Sequence, residues 1–216
     1  HMVRYDPLTG LPNREYFVEL VKEQLAARTR ESQIGILVLD VDDFKHVNDT
    51  KGHVTGDRLL VAIAERLKEL AGTTALAARL VGDQFVLFFP NEDGASDVGS
   101  CVQALHAAVT GTYDVDGNSF RISFSGGYVT MSSREFRSEE WQIKADLALF
   151  DAKLRMKGGC TAFEEEMDAR YVERQKLKED LREAVEAGRL QAVYQPMFTP
   201  DGSRIDCCEA LARWIH

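Results

Sequence analysis

Helical and extended patterns of apolar positions alternate over most of the chain. Apolar residues recur every three or four positions in four segments, which predicts amphipathic helices. These segments are residues 14–28, 56–70, 96–109 and 139–156. Asn13 directly precedes the first of them and has a side chain suited to an N-cap.

Extended patterns between the helices predict a sheet. A continuous apolar run at 34–41 ends in acidic residues and predicts a buried central strand, and the polar segment 42–53 after it is interpreted as a turn. Further strands are predicted around tight turns and near the end of this region, at 75–80 with 84–89, at 112–115 with 119–130, and at 160–163. Because hairpins join antiparallel strands, we expect an α/β fold with a mixed sheet.

The last quarter of the chain has a different organisation. A charged helix is predicted over 165–187, with Gly188 as the residue that ends it. A strand at 191–195, ended by Pro196, and a second strand at 204–212 follow. One helix and two strands cannot bury a core alone, so this segment is either a truncated domain or packs against the first one.

Composition excludes several classes of function. The chain has 216 residues, with 26 Lys and Arg against 35 Asp and Glu, and a net charge of −9, which argues against a nucleic-acid-binding surface. No apolar run approaches the roughly 18 residues that span a membrane. The four cysteines lack metal-site spacing and are expected to be reduced thiols. His1-Met2 looks like the remnant of a cleaved tag, so we expect the natural protein to extend upstream.

Two groups of polar residues follow the central strand. Asp40-Val41-Asp42 offers carboxylates and a backbone carbonyl, ligands that suit Mg²⁺, although acids after strands also cap helices or form turns. Asn48 and Asp57 offer an amide and a carboxylate that can read the edge of guanine. The alternative is that Asn48 is a turn residue and Asp57 a helix first-turn acid.

Two further groups have the chemistry of a phosphate site. In the turn of the first hairpin, Gly82 allows close approach of backbone to a phosphate and Asp83 can face Asp40 across a metal. Lys153 and Lys157, four residues apart, are predicted on one helix face. The alternatives are an ordinary turn and a solvated basic stripe.

The order and spacing of these groups resemble the GGDEF (diguanylate cyclase) family. The resemblance is carried by Asp6 to Arg14, Asp40-Val41-Asp42, Phe44-Lys45, Asn48-Asp49, Gly52-His53, Gly56-Asp57, Arg79, the hairpin Val81-Gly82-Asp83-Gln84-Phe85, and Ala145-Asp146 through Ala152-Lys153. It implies a five-stranded mixed sheet flanked by helices, like the palm of nucleotide cyclases. Over 1–164 we therefore expect a GGDEF-like domain.

The C-terminal segment resembles the opening of an EAL cyclic di-GMP phosphodiesterase. The resemblance is carried by Tyr194-Gln195-Pro196 and by Glu209-Ala210-Leu211-Ala212-Arg213-Trp214. We expect a linking helix at 165–188 and an N-terminal EAL fragment at 189–216. Glu209 matches a metal ligand of that family, and the remaining ligands would lie beyond His216. This portion is therefore expected to be inactive alone.

The GGDEF resemblance implies a reaction and a role for each group. Family members condense two GTP molecules into cyclic di-GMP across a homodimer. Asp40, the Val41 carbonyl and Asp83 would hold Mg²⁺ or Mn²⁺, and Asn48 with Asp57 would bind guanine. The remaining implied residues are the phosphate-binding Phe44, Lys45, Gly82, Lys153 and Lys157, and the catalytic hairpin positions Asp83 and Gln84.

Two departures in the hairpin shift the expected activity. Val81 stands in place of a glycine, and strain would follow if that position needs a positive φ. Gln84 stands in place of an acid and cannot act as a base. We therefore expect a degenerate, cytoplasmic GGDEF domain that binds GTP and Mg²⁺ and regulates an attached EAL phosphodiesterase, with a sensor domain upstream. The alternatives are an active diguanylate cyclase and an interaction module without nucleotide.

Overall fold

The computed structural model describes residues 4–28, 30–72, 75–91 and 97–214. The interpretations of His1, Met2 and His216 made from the sequence lie outside the described residues. The chain divides into two compact units, His1–Met167 and Asp168–His216. The helices are α1 Arg14–Ala26, α2 Phe44–Lys51, α3 His53–Ala71, α4 Val98–Val109, α5 Glu140–Arg155 and α6 Glu166–Glu186, with a short 3-10 turn at Ser133–Glu135. The strands are β1 Gln33–Val41, β2 Leu76–Arg79, β3 Gln84–Asn91, β4 Gly111–Val115, β5 Asn118–Ile122, β6 Phe124–Ser132, β7 Cys160–Ala162, β8 Leu190–Phe198 and β9 Ile205–Trp214.

The first unit is built on a five-stranded mixed sheet, as predicted. Its strand order is β2-β3-β1-β6-β7; β6 and β7 are parallel and the other neighbours are antiparallel. β1 is central and buried on both faces because helices cover both sides, which explains its continuous apolar run. One core contains residues of α3 and α4, and the other contains residues of α1 and α5.

Two sequence predictions in this unit need correction. The segment 42–53 contains helix α2 rather than a turn; α2 has no fully buried residue, and only Phe44 and Val47 pack against the core, which is too short an apolar pattern to predict a helix. The predicted strand 119–130 is two strands, because β5 pairs with β4 in a separate sheet while β6 joins the main one. The break at Ser123 depends on strand pairing, which the alternation of apolar residues does not report.

The second unit consists mainly of α6 and the antiparallel pair β8–β9. Gly188 ends the helix with a φ of +66°, as its position predicted. The prediction that Pro196 ends the strand is wrong, because Pro196 lies within β8 and pairs with Cys208. In a two-stranded sheet both strands are edges, where a proline whose nitrogen faces away from the partner strand costs no ladder bond. Among the described residues, no helix is long and apolar enough to cross a membrane.

Candidate nucleotide and metal site

Asp40 is the centre of the candidate site. It lies one residue before the end of β1 and is only 9% exposed. Its Oδ1 accepts from Lys153 Nζ on α5 at 2.6 Å, and its Oδ2 accepts from Gln84 Nε2 at 3.2 Å. Asp40 and Gln84 are direct partners in the β1–β3 ladder, so their side chains emerge on the same face. Strand register thus brings these two positions together.

The hairpin between β2 and β3 forms without strain at Val81. Gln84 N donates to Val81 O at 3.0 Å, and Leu80 N donates to Gln84 O at 2.9 Å. Within this turn the positive φ falls on Gly82, at +63°, and Val81 is not among the described non-glycine residues with positive φ. Val81 is instead 71% exposed at the tip of the turn. The strain that a β-branched residue would have introduced is therefore absent.

Asp83 supplies a second carboxylate close to Asp40. Its backbone oxygen accepts from Val41 N at 3.2 Å, which joins the hairpin to the end of β1. Burial, and then the negative charge of Asp40, raise the pKa of Asp83 above its usual value. No cluster of three or more His, Cys, Asp or Glu suited to a metal occurs within the described residues. Two carboxylates and the Val41 carbonyl fit a cation that takes its other ligands from phosphate oxygens and water, as Mg²⁺ does.

The two candidate phosphate lysines lie on different elements. Helix α5 ends at Arg155 and Met156 is extended. The prediction that Lys153 and Lys157 share one helix face is therefore wrong. Lys157 Nζ instead contacts Asp43 Oδ1 at 2.6 Å. Both lysines nevertheless pair with acids at the end of β1 or just after it, because α5 and the segment after it pass that end.

The candidate guanine residues lie on the two helices that follow β1. Asn48 is on α2, and its side chain packs against Gly56 on α3: a Cβ added to Gly56 would stand 1.9 Å from Asn48 Oδ1. Asp57, the next residue, is exposed. Phe44, at the start of α2, packs against the core, while Lys45 beside it is exposed. The fold therefore brings Asn48 next to the helical turn that carries Asp57.

Comparison with known proteins identifies the family. The family described as "Diguanylate cyclase, GGDEF domain" matches residues 3–158. The chain belongs to the GGDEF family. The chain is 35% identical over 214 residues to the bifunctional diguanylate cyclase/cyclic di-GMP phosphodiesterase MucR of Pseudomonas aeruginosa, covering 98% of this chain and 31% of MucR. It is 31% identical over 217 residues to the cyclic di-GMP phosphodiesterase NbdA of the same species, covering 100% of this chain and 28% of NbdA.

Solved structures show the same fold. The GGDEF domain of YfiN (also named TpbB) from P. aeruginosa superimposes with a TM-score of 0.66 at 29% identity, covering 76% of this chain and 97% of that one. Residues 3–158 are thus a GGDEF domain of cyclic di-GMP signalling. The chain spans about a third or less of the length of MucR and NbdA.

Asp42, which the sequence groups with Asp40 as a strand-end carboxylate suited to Mg²⁺, is bonded to serines of the domain itself. It is 8% exposed and accepts from Ser125 Oγ at 2.6 Å and from Ser123 Oγ at 3.0 Å. Ser125 Oγ in turn accepts from Gly158 N at 3.3 Å. These bonds tie the end of β1 to the start of β6 and to the residue after Lys157. The sequence carries no signal for this network, because the two serines are more than 80 residues away in the chain.

Arg79 joins the GGDEF hairpin to the N-terminal loop. Its guanidinium donates to Gly82 O at 2.6 and 3.0 Å and contacts Asp6 Oδ2 at 3.0 Å. Partial burial opposes ionisation of Asp6, but hydrogen bonds from Thr9 and Arg79 outweigh it and lower its pKa. The lowered pKa means that Asp6 stabilises the fold above its unfolded pKa and loses that contribution as pH falls through the folded pKa.

We expect Arg79→Ala to destabilise the domain by about 2–3 kcal/mol, because it removes the cationic partner of the partly buried Asp6 and both hydrogen bonds to the Gly82 carbonyl. Urea unfolding followed by circular dichroism measures the change. The matched control is Arg134→Ala, since the side chain of Arg134 is 76% exposed where it pairs with Glu31, and the loss of that pair should cost below about 0.5 kcal/mol. Equal effects of the two substitutions would contradict a structural role for Arg79.

Proposed function

We propose that the GGDEF domain binds GTP together with Mg²⁺ or Mn²⁺ and regulates an EAL phosphodiesterase domain that opens within 189–216. The observation that carries the proposal is the meeting of Asp40, Asp83 and Lys153 at the end of β1. Domains of this family bind GTP, act as dimers and generally depend on a divalent metal. Nothing in the altered hairpin removes the acids that would serve such a metal.

Each part of the nucleotide has a candidate partner on the domain. Asp40, the Val41 carbonyl and Asp83 would hold the cation, which would supply positive charge beside the phosphates. Lys153 is 38% exposed, so its ammonium can contact a phosphate while it remains near Asp40. The partly buried Asn48 and the exposed Asp57 would read guanine.

The expected mode of action is regulatory because Gln84 has no basic group. An amide cannot take a proton from an attacking hydroxyl, whereas it leaves the neighbouring acids able to bind a cation. The role of the EAL portion is supported by the relatives, since the matches to MucR and NbdA extend over 98–100% of this chain and so include its second unit.

Exposed apolar side chains of the second unit support the EAL part of the proposal. Strands β8 and β9 form a two-stranded sheet with exposed apolar side chains, among them Tyr194, Met197, Phe198 and Ile205. A pair of strands needs further strands or a helix against its apolar face to be stable. This favours 189–216 as part of a larger EAL domain, in which Glu209 on β9 would be one of several metal ligands.

Guanine recognition can be tested with one pair of variants. We expect Asp57→Ala to weaken GTP binding about tenfold or more while ATP binding changes little, because a carboxylate pairs with the guanine N1 and N2 donors. Asp49→Ala is the matched control, since Asp49 is an equally exposed acid on α2 with no proposed contact. Calorimetry with excess Mg²⁺ gives both affinities. The proposal fails if the unmodified chain shows no binding at millimolar GTP.

A second function, an active diguanylate cyclase, is favoured by one observation. The positive φ lies on Gly82 rather than on Val81, so the altered hairpin keeps an unstrained turn. Chromatographic detection of cyclic di-GMP formed from GTP distinguishes the two functions. The double reversion to Gly at 81 and Glu at 84 serves as the positive control.

A further inference from the structure

Both carboxylate oxygens of Asp40 already accept from side chains of the chain itself. Lys153 donates to Oδ1, and Gln84 Nε2 donates to Oδ2 at 3.2 Å. An ionised carboxylate only accepts hydrogen bonds, so the face of Gln84 turned to Asp40 must be its amide NH₂. The partnership of the two residues in the β1–β3 ladder keeps the amide within reach.

A cation and an amide N–H donor compete for the lone pairs of the Asp40 carboxylate. A divalent cation that binds Oδ2 along the lone pair to which Gln84 donates must displace the amide. Glutamate at this position would have no donor to offer and would add a negative charge beside Asp40 and Asp83. The residue at position 84 therefore decides whether Asp40 favours a bond within the protein or a cation.

We propose that Gln84 sets the metal dependence of nucleotide binding by competing, through its amide nitrogen, with the divalent cation for Asp40. The inference rests on the proposed function, because the cation concerned is the one bound with GTP. It assigns Gln84 a role other than that of a lost base. The cation is then held mainly when GTP supplies phosphate oxygens as additional ligands.

The quantity to measure is the GTP dissociation constant in chelator divided by the GTP dissociation constant in excess Mg²⁺. This ratio reports how much the cation contributes to nucleotide binding and does not involve turnover. Gln84→Met removes the amide donor without adding charge, at nearly constant volume. We expect it to raise the ratio about tenfold, which corresponds to one hydrogen bond to a charged group. Gln84→Glu should raise it further.

The control is Gln103→Glu, which makes the same chemical change outside the site. Gln103 is on α4, and its amide likewise donates one hydrogen bond, to the Cys160 carbonyl at 3.2 Å. The ratio should be unchanged. In chelator, Gln84→Glu should also lower the thermal midpoint more than Gln103→Glu, since it places a third negative charge beside Asp40 and Asp83. Unfolding curves of all variants verify that each is folded.

Three results would overturn the inference, and they can be told apart. An unchanged ratio in Gln84→Met, with GTP still bound, would show that the amide does not compete and would leave the proposed function intact. A lower ratio would show that the Gln84 carbonyl oxygen is itself a cation ligand. Absence of GTP binding in every protein would overturn the proposed function and this inference with it.

Discussion

Gly127→Ala is expected to cost about 4 kcal/mol or more of folding stability. Gly127 lies on β6, where α5 crosses the sheet. A Cβ there would stand 2.1 Å from Leu149 N, 2.3 Å from Ala145 O and 2.6 Å from Leu149 Cα. These are backbone atoms of a helix, which cannot rotate away, so the whole helix has to move.

The displacement would also reach the candidate site. Lys153 is one helical turn beyond Leu149 on α5, so a shift of the helix moves its ammonium away from Asp40. We therefore expect loss of GTP binding in any Gly127→Ala protein that remains folded. Thermal and urea unfolding measure the destabilisation, and calorimetry measures the binding.

The matched control for Gly127→Ala is Gly99→Ala. The added Cβ at Gly99 would meet only side-chain atoms, Asp97 Oδ2 at 3.1 Å and the Tyr128 hydroxyl at 3.3 Å. These side-chain ends need to move by only a few tenths of an ångström, and the small loss of N-capping by Asp97, which accepts from Ser100 N at 2.9 Å, is offset because alanine is a better helix former than glycine in α4. The change in stability should stay within about 1 kcal/mol. Similar stabilities of the two variants would contradict the close contact between α5 and β6.

Much of the fold was predictable because it depends on local pattern. The N-cap role of Asn13 is confirmed by its side chain accepting from Tyr16 N at 2.9 Å. The apolar run of β1 predicted the central strand, and the turn chemistry around Gly82 predicted the hairpin. The positions that failed depend on other parts of the molecule: α2 contacts the core through only Phe44 and Val47, and Pro196 is tolerated because its sheet has only two strands.

The candidate site was predictable to a similar extent. Family spacing indicated Asp40, Asp83 and Lys153, which the structure places around the end of β1. Their functional roles remain predictions. The sequence did not reveal the direct bond from Gln84 to Asp40, which depends on strand register, nor the burial of Asp42, which depends on serines far away in the chain. Contacts between distant segments have no local signature.

The second large effect is expected from Gly56→Ala, which should change folding stability little but weaken GTP binding strongly. The added Cβ would overlap Asn48 Oδ1 at 1.9 Å and approach Phe44 Cζ at 3.2 Å. Both are ends of side chains, so Asn48 can rotate away at small cost, and alanine favours helix α3 by about 1 kcal/mol. Stability should therefore change by less than about 1 kcal/mol. GTP affinity should fall about tenfold or more, because the amide that reads guanine is displaced.

A double-mutant cycle decides whether the loss acts through Asn48. If Gly56→Ala weakens GTP binding by moving that amide, it should add nothing once Asn48 has been replaced by alanine, and the two effects should be strongly non-additive. Additive losses would place the effect elsewhere, for example at Phe44. Unchanged GTP affinity in Gly56→Ala, with normal unfolding, would remove Asn48 from the guanine site and leave Asp57 as its remaining candidate. Gly56 would then be a packing residue between α2 and α3.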